Sequence, residues 1–154
     1  MVDIARPTNN GLQFGDRVLV LSNGNFVITD PFEGFLRSVR LYDGKTNQVI
    51  STLTGPNGGS ARLFEVGDSN FVVFSPGVLG GAITWVNGTT GLNGTISAAN
   101  SITEAGDLGG LYTEVVKLTN GNYVISNREW NASRGYAHWA PGNGPTVGVI
   151  SAVE

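Results

Sequence analysis

Leu21–Ile28 reads LSNGNFVI, and Leu118–Ile125 reads LTNGNYVI. A worn version, VGDSNFVV, stands at Val66–Val73. Each places two small polar residues between apolar, β-branched runs, which is the mark of a hairpin. Asn-Gly tolerates positive φ, so the sequence predicts type I′ turns at Asn23-Gly24 and Asn120-Gly121. Asp68-Ser69 suits such a turn less well, and the middle hairpin is expected to be the least stable. The Asn after each turn (Asn25, Asn70, Asn122) recurs at spacings of 45 and 52 residues.

A second anchor lies further along each unit. VRLYDG, AITWVNG and YAHWAPG reach an aromatic residue at Tyr42, Trp85 and Trp139, spaced 43 and 54 residues apart. Four strands per unit follow. RVLVL, RLFEV and EVVKL come first; NFVIT, NFVVF and NYVIS second; SVRLY, GAITW and GYAHW third; QVISTL, GTISAA and VGVISAV fourth. The third strands are apolar on both faces, with Val39 and Leu41 on one and Arg40 and Tyr42 on the other in the first unit. A sheet with two apolar faces must be covered twice, most simply by its neighbours. Internal repetition at this period with four strands per unit predicts an all-β, propeller-like fold of three antiparallel four-stranded meanders. The chain reads as one repeat domain, 1–154, with blades at about 14–55, 59–102 and 111–154.

Composition agrees. Gly is abundant, at 23 of 154 residues, and charged residues make up 14%. There is no cysteine, which excludes disulfides, thiolate nucleophiles and Cys-ligated metals. Nine scattered Lys and Arg in a chain of net charge −3 argue against nucleic acid as a partner. No apolar run nears the roughly 18 residues of a membrane helix, so no membrane insertion is expected. MVDIARPTNN lacks the basic-then-apolar pattern of a secretory signal. That is compatible with a cytosolic protein or with a piece of a longer exported chain.

The wording resembles FG-GAP-type propeller repeats, and more closely the tandem repeats of bacterial surface proteins of adhesin or haemagglutinin type. Phe14-Gly15, Leu118–Ser126, Ser75-Pro76, Trp130-Asn131, Gly81–Trp85 and Asn87–Gly91 carry the resemblance, with Ile96-Ser97 and Ile150-Ser151 closing the units. It implies a non-catalytic binding or structural module on a bacterial surface, with a glycan or protein ligand. The calcium loop of integrin-type repeats, with acidic residues at alternate positions, is missing from DPFEG (Asp30–Gly34) and GDLGG (Gly106–Gly110). Calcium wants about six to eight oxygen ligands, so neither metal nor other cofactor is expected.

Three blades are few, since closed propellers have about four to eight. The expectation is a fragment of a longer array, or a homodimer completing a six-bladed ring. The most variable link joins the second and third strands: DPFEGFLRS, SPGVLGG and NREWNASRG. In the last, Arg128, Glu129, Trp130, Asn131 and Arg134 are the candidate ligand-binding residues. Trp stacks on sugar rings, and Arg and Asn give directional hydrogen bonds. The contrasting reading of Trp130 is a loop anchor folded onto its own blade. His138, the lone histidine, reads as a side chain packed between blades. The enzyme alternative is a glycoside hydrolase using Asp30, Glu33 or Glu129 as paired carboxyls; a third reading is a structural spacer. Asn87-Gly-Thr, Asn93-Gly-Thr and Asn131-Ala-Ser read as turns, and GPNGGS (Gly55–Ser60) as an interblade connection.

Overall fold

The computed structural model describes residues 1–5, 14–33, 36–55, 61–76, 78–104 and 112–151. The first unit supplies β1 (Val18–Val20), β2 (Phe26–Glu33), β3 (Leu36–Tyr42) and β4 (Val49–Gly55). The second supplies β5 (Arg62–Val66), β6 (Asn70–Ser75), β7 (Ala82–Val86), β8 (Gly94–Thr95) and β9 (Ser101–Glu104). The third supplies β10 (Thr113–Lys117), β11 (Tyr123–Asn127), a short helical turn α1 (Trp130–Ser133), β12 (Tyr136–Ala140) and β13 (Gly148–Ile150). The all-β class and the three-fold repetition therefore hold. The interblade connection at 56–60 and the GDLGG segment at 106–110 lie outside the described residues.

The sheets are not three equal four-stranded meanders. The first runs β1-β2-β3-β4-β8, the second β13-β9-β7-β6-β5 and the third β10-β11-β12. GTISAA, expected as the second unit's fourth strand, instead pairs through Gly94 and Thr95 in parallel with Leu53 and Thr54 of the first unit. The fourth strand proper is β9, antiparallel to β7. VGVISAV likewise leaves its own unit, and Gly148–Ile150 runs parallel to Ile102–Glu104. These short strands stitch each unit to the one before it. Turn residues flank them as they would flank a meander strand, so local pattern could not tell the two pairings apart.

Register corrects a second expectation. Phe26 pairs with Tyr42, Phe71 with Val86 and Tyr123 with Ala140. Tyr42 is thus the counterpart of Val86 and Ala140, and Leu41 that of Trp85 and Trp139. Aligning the aromatic residues slipped the first unit by one position, which exchanges its two faces. The dependable anchor is the following turn, Asp43-Gly44, Asn87-Gly88 and Pro141-Gly142. The hairpins differ from type I′ as well. Gly24 and Gly121 sit at φ 90 and 88, whereas Asn23 and Asn120 do not have positive φ. Gly24 N–H donates to the Leu21 carbonyl at 2.9 Å, and Leu21 N–H to that of Asn25 at 2.8 Å. This is a three-residue loop closed by one left-handed glycine. In the middle hairpin Ser69 occupies the left-handed position, at φ 62.

Two apolar cores hold the sheets face to face. Val27, Val39, Leu41 and Leu53 of the first sheet meet Phe71, Val73, Ala82 and Val86 of the second. The other face of the second sheet offers Val66, Val72, Phe74 and Ile83 to Tyr123, Ile125, Trp130 and Ala140 of the third. Every residue of β6 is accordingly buried. Arg37 is buried at the margin of the first core, and loss of solvent lowers the pKa of its guanidinium.

The repeated Asn residues staple the units. Asn25, Asn70 and Asn122 each accept, through Oδ1, the N–H of their own unit's turn glycine: Gly44, Gly88 and Gly142, all at 3.1 Å. The amide nitrogen reaches forward to the next unit. Asn25 Nδ2 donates to the Gly88 carbonyl at 2.9 Å, and Asn70 Nδ2 to that of Gly142 at 3.2 Å. Trp85 Nε1 converges on the same Gly142 oxygen at 2.9 Å. The turn glycines are required by close approach. A Cβ on Gly44, Gly88 or Gly142 would lie 1.8, 1.5 or 2.0 Å from the carbonyl oxygen of Gly24, Ser69 or Gly121.

Candidate functional site

The link of the third unit is built on a strained turn. Asn131, Ala132 and Ser133 all have positive φ, at 53, 57 and 64. Left-handed conformation disfavours non-glycine residues. Packing of Trp130 and two backbone bonds hold the turn: Gly135 N–H to the Trp130 carbonyl at 2.9 Å and Arg134 N–H to that of Asn131 at 3.3 Å. Trp130 is 8% exposed and lies in the second core. Its ring meets Tyr136 edge to face, centroids 5.6 Å apart. The structure therefore gives its indole a place in the core rather than an open stacking face.

The link's polar residues stay in solvent. Arg128, Glu129, Asn131 and Arg134 are exposed. Arg128 Nε lies 3.2 Å from Glu129 Oε1, and Ser133 Oγ donates to Glu129 Oε2 at 3.1 Å. The Arg128 guanidinium also stands 5.5 Å above the Tyr112 ring.

Arg128 and Tyr112 border a cleft of about 320 Å³ lined further by Arg62, Thr113, Glu114 and Ser126. Three elements meet there: the start of β5, the start of β10 and the end of β11. Arg62 is fixed by donating to the Thr113 carbonyl at 2.8 Å, and its guanidinium lies 5.2 Å over the Phe64 ring. Beneath the cleft a buried polar cluster joins the second and third units. Thr113 Oγ1 and the Tyr136 hydroxyl both donate to Glu104 Oε1, and Asn127 Nδ2 donates to Thr113 Oγ1 at 3.2 Å. Burial and the Glu104 carboxylate push the Tyr136 pKa well above the usual phenol value. Sequence reasoning found Arg128 but missed Arg62, Tyr112 and Glu114, whose separation along the chain gave no signal. One hint did exist in the repeat: Arg62 and Glu114 open equivalent first strands.

The other candidates are dispersed. Asp30 is 1% exposed in β2 of the first sheet, and Glu129 lies on the link of the third. The whole second sheet is packed between those sheets, a separation on the order of 20 Å for two sheet spacings. Retaining or inverting glycosidases need their carboxyls within about 10 Å. Glu33 ends β2, and its side chain lies outside the described residues. His138 is half-buried on β12 opposite Ile125, at the register of Arg40 and Thr84. Among the described residues no three His, Asp or Glu side chains gather as a metal site would require. No helix among them is long and apolar enough to cross a membrane.

Two of the three Asn-x-Ser/Thr sequences read as turns hold backbone groups through their Asn side chains. Asn87 Oδ1 accepts the N–H groups of Thr89 and Thr90 at 2.8 and 3.0 Å, and Asp43 does the same for Lys45 and Thr46 at 2.7 and 3.1 Å. Those backbone donors hold the Asp43 carboxyl below its usual pKa. Asn93 Oδ1 accepts the Thr52 N–H of the neighbouring unit at 2.9 Å.

Stacked, internally repeated sheets of this kind define an all-β repeat protein. A family model described as a repeat of unknown function, DUF5650, matches residues 65–107 and 117–154, just over half of the chain, and the chain belongs to that family. Both matched segments include the second strand of the hairpin, the third strand and the stitching strand, and the first continues through β9. No curated protein and no solved structure matches the chain.

Proposed function

We propose that the chain is a non-catalytic binding module: a propeller-like stack that presents a polar cleft at one edge. The carrying observation is a division of labour among residues. The repeated ones (Asn25, Asn70, Asn122 and the turn glycines) go into joining units. Tyr112 and Arg128, which the other units do not repeat, line an open cleft together with Arg62. Two guanidinium groups beside an aromatic ring suit a carboxylate-bearing ligand, because Arg grips carboxylates through paired N–H groups. An acidic glycan or an acidic peptide segment fits that description. The resemblance to adhesin-type repeats supports a glycan or protein ligand and a place on a bacterial surface.

The test is a glycan array that includes uronic and sialic acid sugars, probed with the parent chain and with Arg128→Ala. Arg128 is exposed, so its loss should leave the fold intact. Binding to acidic glycans should fall at least tenfold in the variant. No binding to any sugar or acidic peptide by the folded parent would favour a purely structural spacer.

A further inference from the structure

The two unit-to-unit joints are built by the same rule. The forward face of a unit is the one turned toward the next unit. The first unit's forward face presents Leu19, Val27, Val39 and Leu41, with Asn23 and Asn25 both donating to the Gly88 carbonyl at 3.1 and 2.9 Å. The second presents Phe64, Val72, Ile83 and Trp85, with Asn70 and Trp85 donating to the Gly142 carbonyl at 3.2 and 2.9 Å. By strand register the third unit's equivalents are Val116, Val124, Ala137 and Trp139, with Asn120 and Asn122.

This third forward face is open. Val116 is 51% exposed and Trp139 is 55% exposed, where their counterparts are packed. Val124 is half-buried and Ala137 exposed. The edge of β12 is also bare among the described residues: β3 and β7 each have a fourth strand beside them, and β12 has none. A cavity of about 350 Å³, lined by Ile102, Tyr136, His138, Val147 and Val149, lies along it.

We infer that the forward face of the third unit is a docking face for a further DUF5650 repeat, whose turn-glycine carbonyl enters between Asn122 Nδ2 and Trp139 Nε1. The face takes an acceptor, because Asn120, Asn122 and Trp139 offer amide and indole N–H donors there. Two copies meeting forward face to forward face would set donors against donors. The first unit of a second copy is a poor occupant for two reasons. Its rear face is already closed, with Ile28, Asp30, Arg40 and Tyr42 at 7, 1, 8 and 2% exposure. It also lacks a stitching strand, because β3 leads directly through a turn into β4. The inference rests on the joints alone and is independent of what the Arg62–Arg128 cleft binds.

The test extends the full chain by one period. Gly94, Ile96 and Ser97 match Gly148, Ile150 and Ser151, which sets Asn100 level with Glu154. Residues 101–154, carrying Trp139→Phe in the appended copy, are therefore joined after residue 154. Hydroxyl-radical labelling of the original Trp139 should fall at least fivefold relative to the parent chain. Asn122→Asp keeps the acceptor for Gly142 N–H but removes the forward donor and opposes a carbonyl with a carboxylate. In the extended chain it should restore most of the labelling, while the same change in the parent leaves circular dichroism unaltered. Undiminished labelling of Trp139 in a folded extended chain overturns the inference, as does equal protection with Asn122→Asp. Reversible dimerisation of the parent that protects Trp139 also overturns it, by making a second copy the occupant.

Discussion

Asn70 explains why an Asn recurs after each hairpin turn. Its Oδ1 holds the turn of its own unit and its Nδ2 holds the turn of the next, so one side chain fixes both a fold and a joint. Asn70→Asp preserves the first bond and replaces the second by two opposed oxygens. The Gly142 carbonyl keeps its bond from Trp85 Nε1, so the cost is that of a buried carboxylate oxygen left without a donor, about 1–3 kcal/mol. Urea denaturation should show that loss, whereas Asn122→Asp should cost the isolated chain far less. Ser69 is the complementary case. It occupies the left-handed position that Gly24 and Gly121 fill in the sister hairpins. Ser69→Gly removes a steric penalty of about 1–2 kcal/mol, part of which returns as unfolded-state entropy. The expected gain is about 1 kcal/mol, read as a higher urea midpoint with an unchanged slope; a loss would show that the serine side chain holds the turn.

At the level of elements, the hairpins were legible and the stitching strands were not. A hairpin is encoded by residues a few positions apart. β8 and β13 are short and borrow their hydrogen bonds from a different unit, so no local period marks them. β11 adds a titration signature. Burial in the second core pushes the Tyr123 pKa up to about 12. The unfolded chain loses this proton near pH 10 and the folded chain holds it about two units longer. The folded state binds more protons in that interval, so stability is intact below about pH 10 and declines by about 2 kcal/mol as the pH rises to 12. Tyr123→Phe should remove this share of the decline in alkaline denaturation curves and leave that of Tyr136, whose pKa is raised further. An unchanged alkaline slope would mean that Tyr123 ionises freely in the folded protein.

For the molecule as a whole, the decisive feature is that the second sheet has no wet face. Each core is shared by two units, so none of the three can shed its neighbour without exposing apolar surface. One cooperative unfolding transition is expected by calorimetry rather than three. Phe74→Ala, at a side chain 1% exposed in the second core, should cost about 3–5 kcal/mol and lower that single transition. If the first sheet instead melted at its original temperature while the third came away, the coupling would be weaker than the packing implies. The stack is also polar in the directional sense. Its first sheet is closed on the outside and its third is open, the asymmetry expected of repeat arrays with a dedicated terminal unit.

The sequence by itself determined the all-β class, the number of repeats, the three hairpins and the need to cover sheets on both sides. All of these follow from turn chemistry and alternation, which act within a few residues. Part of the candidate site was legible too, since the variable link singled out Arg128 and the exposed residues around it. Only the tertiary structure decided that Trp130 points into the core, that Arg62 and Tyr112 join Arg128, and that the last strand of a unit can belong to the unit before. It also decided the true register of the first unit, where an aromatic residue was a false guide and a glycine at a close backbone contact was the dependable one. Contacts between units depend on which faces meet in space, and a chain written as near-identical words does not say which copy of a word will pair with which.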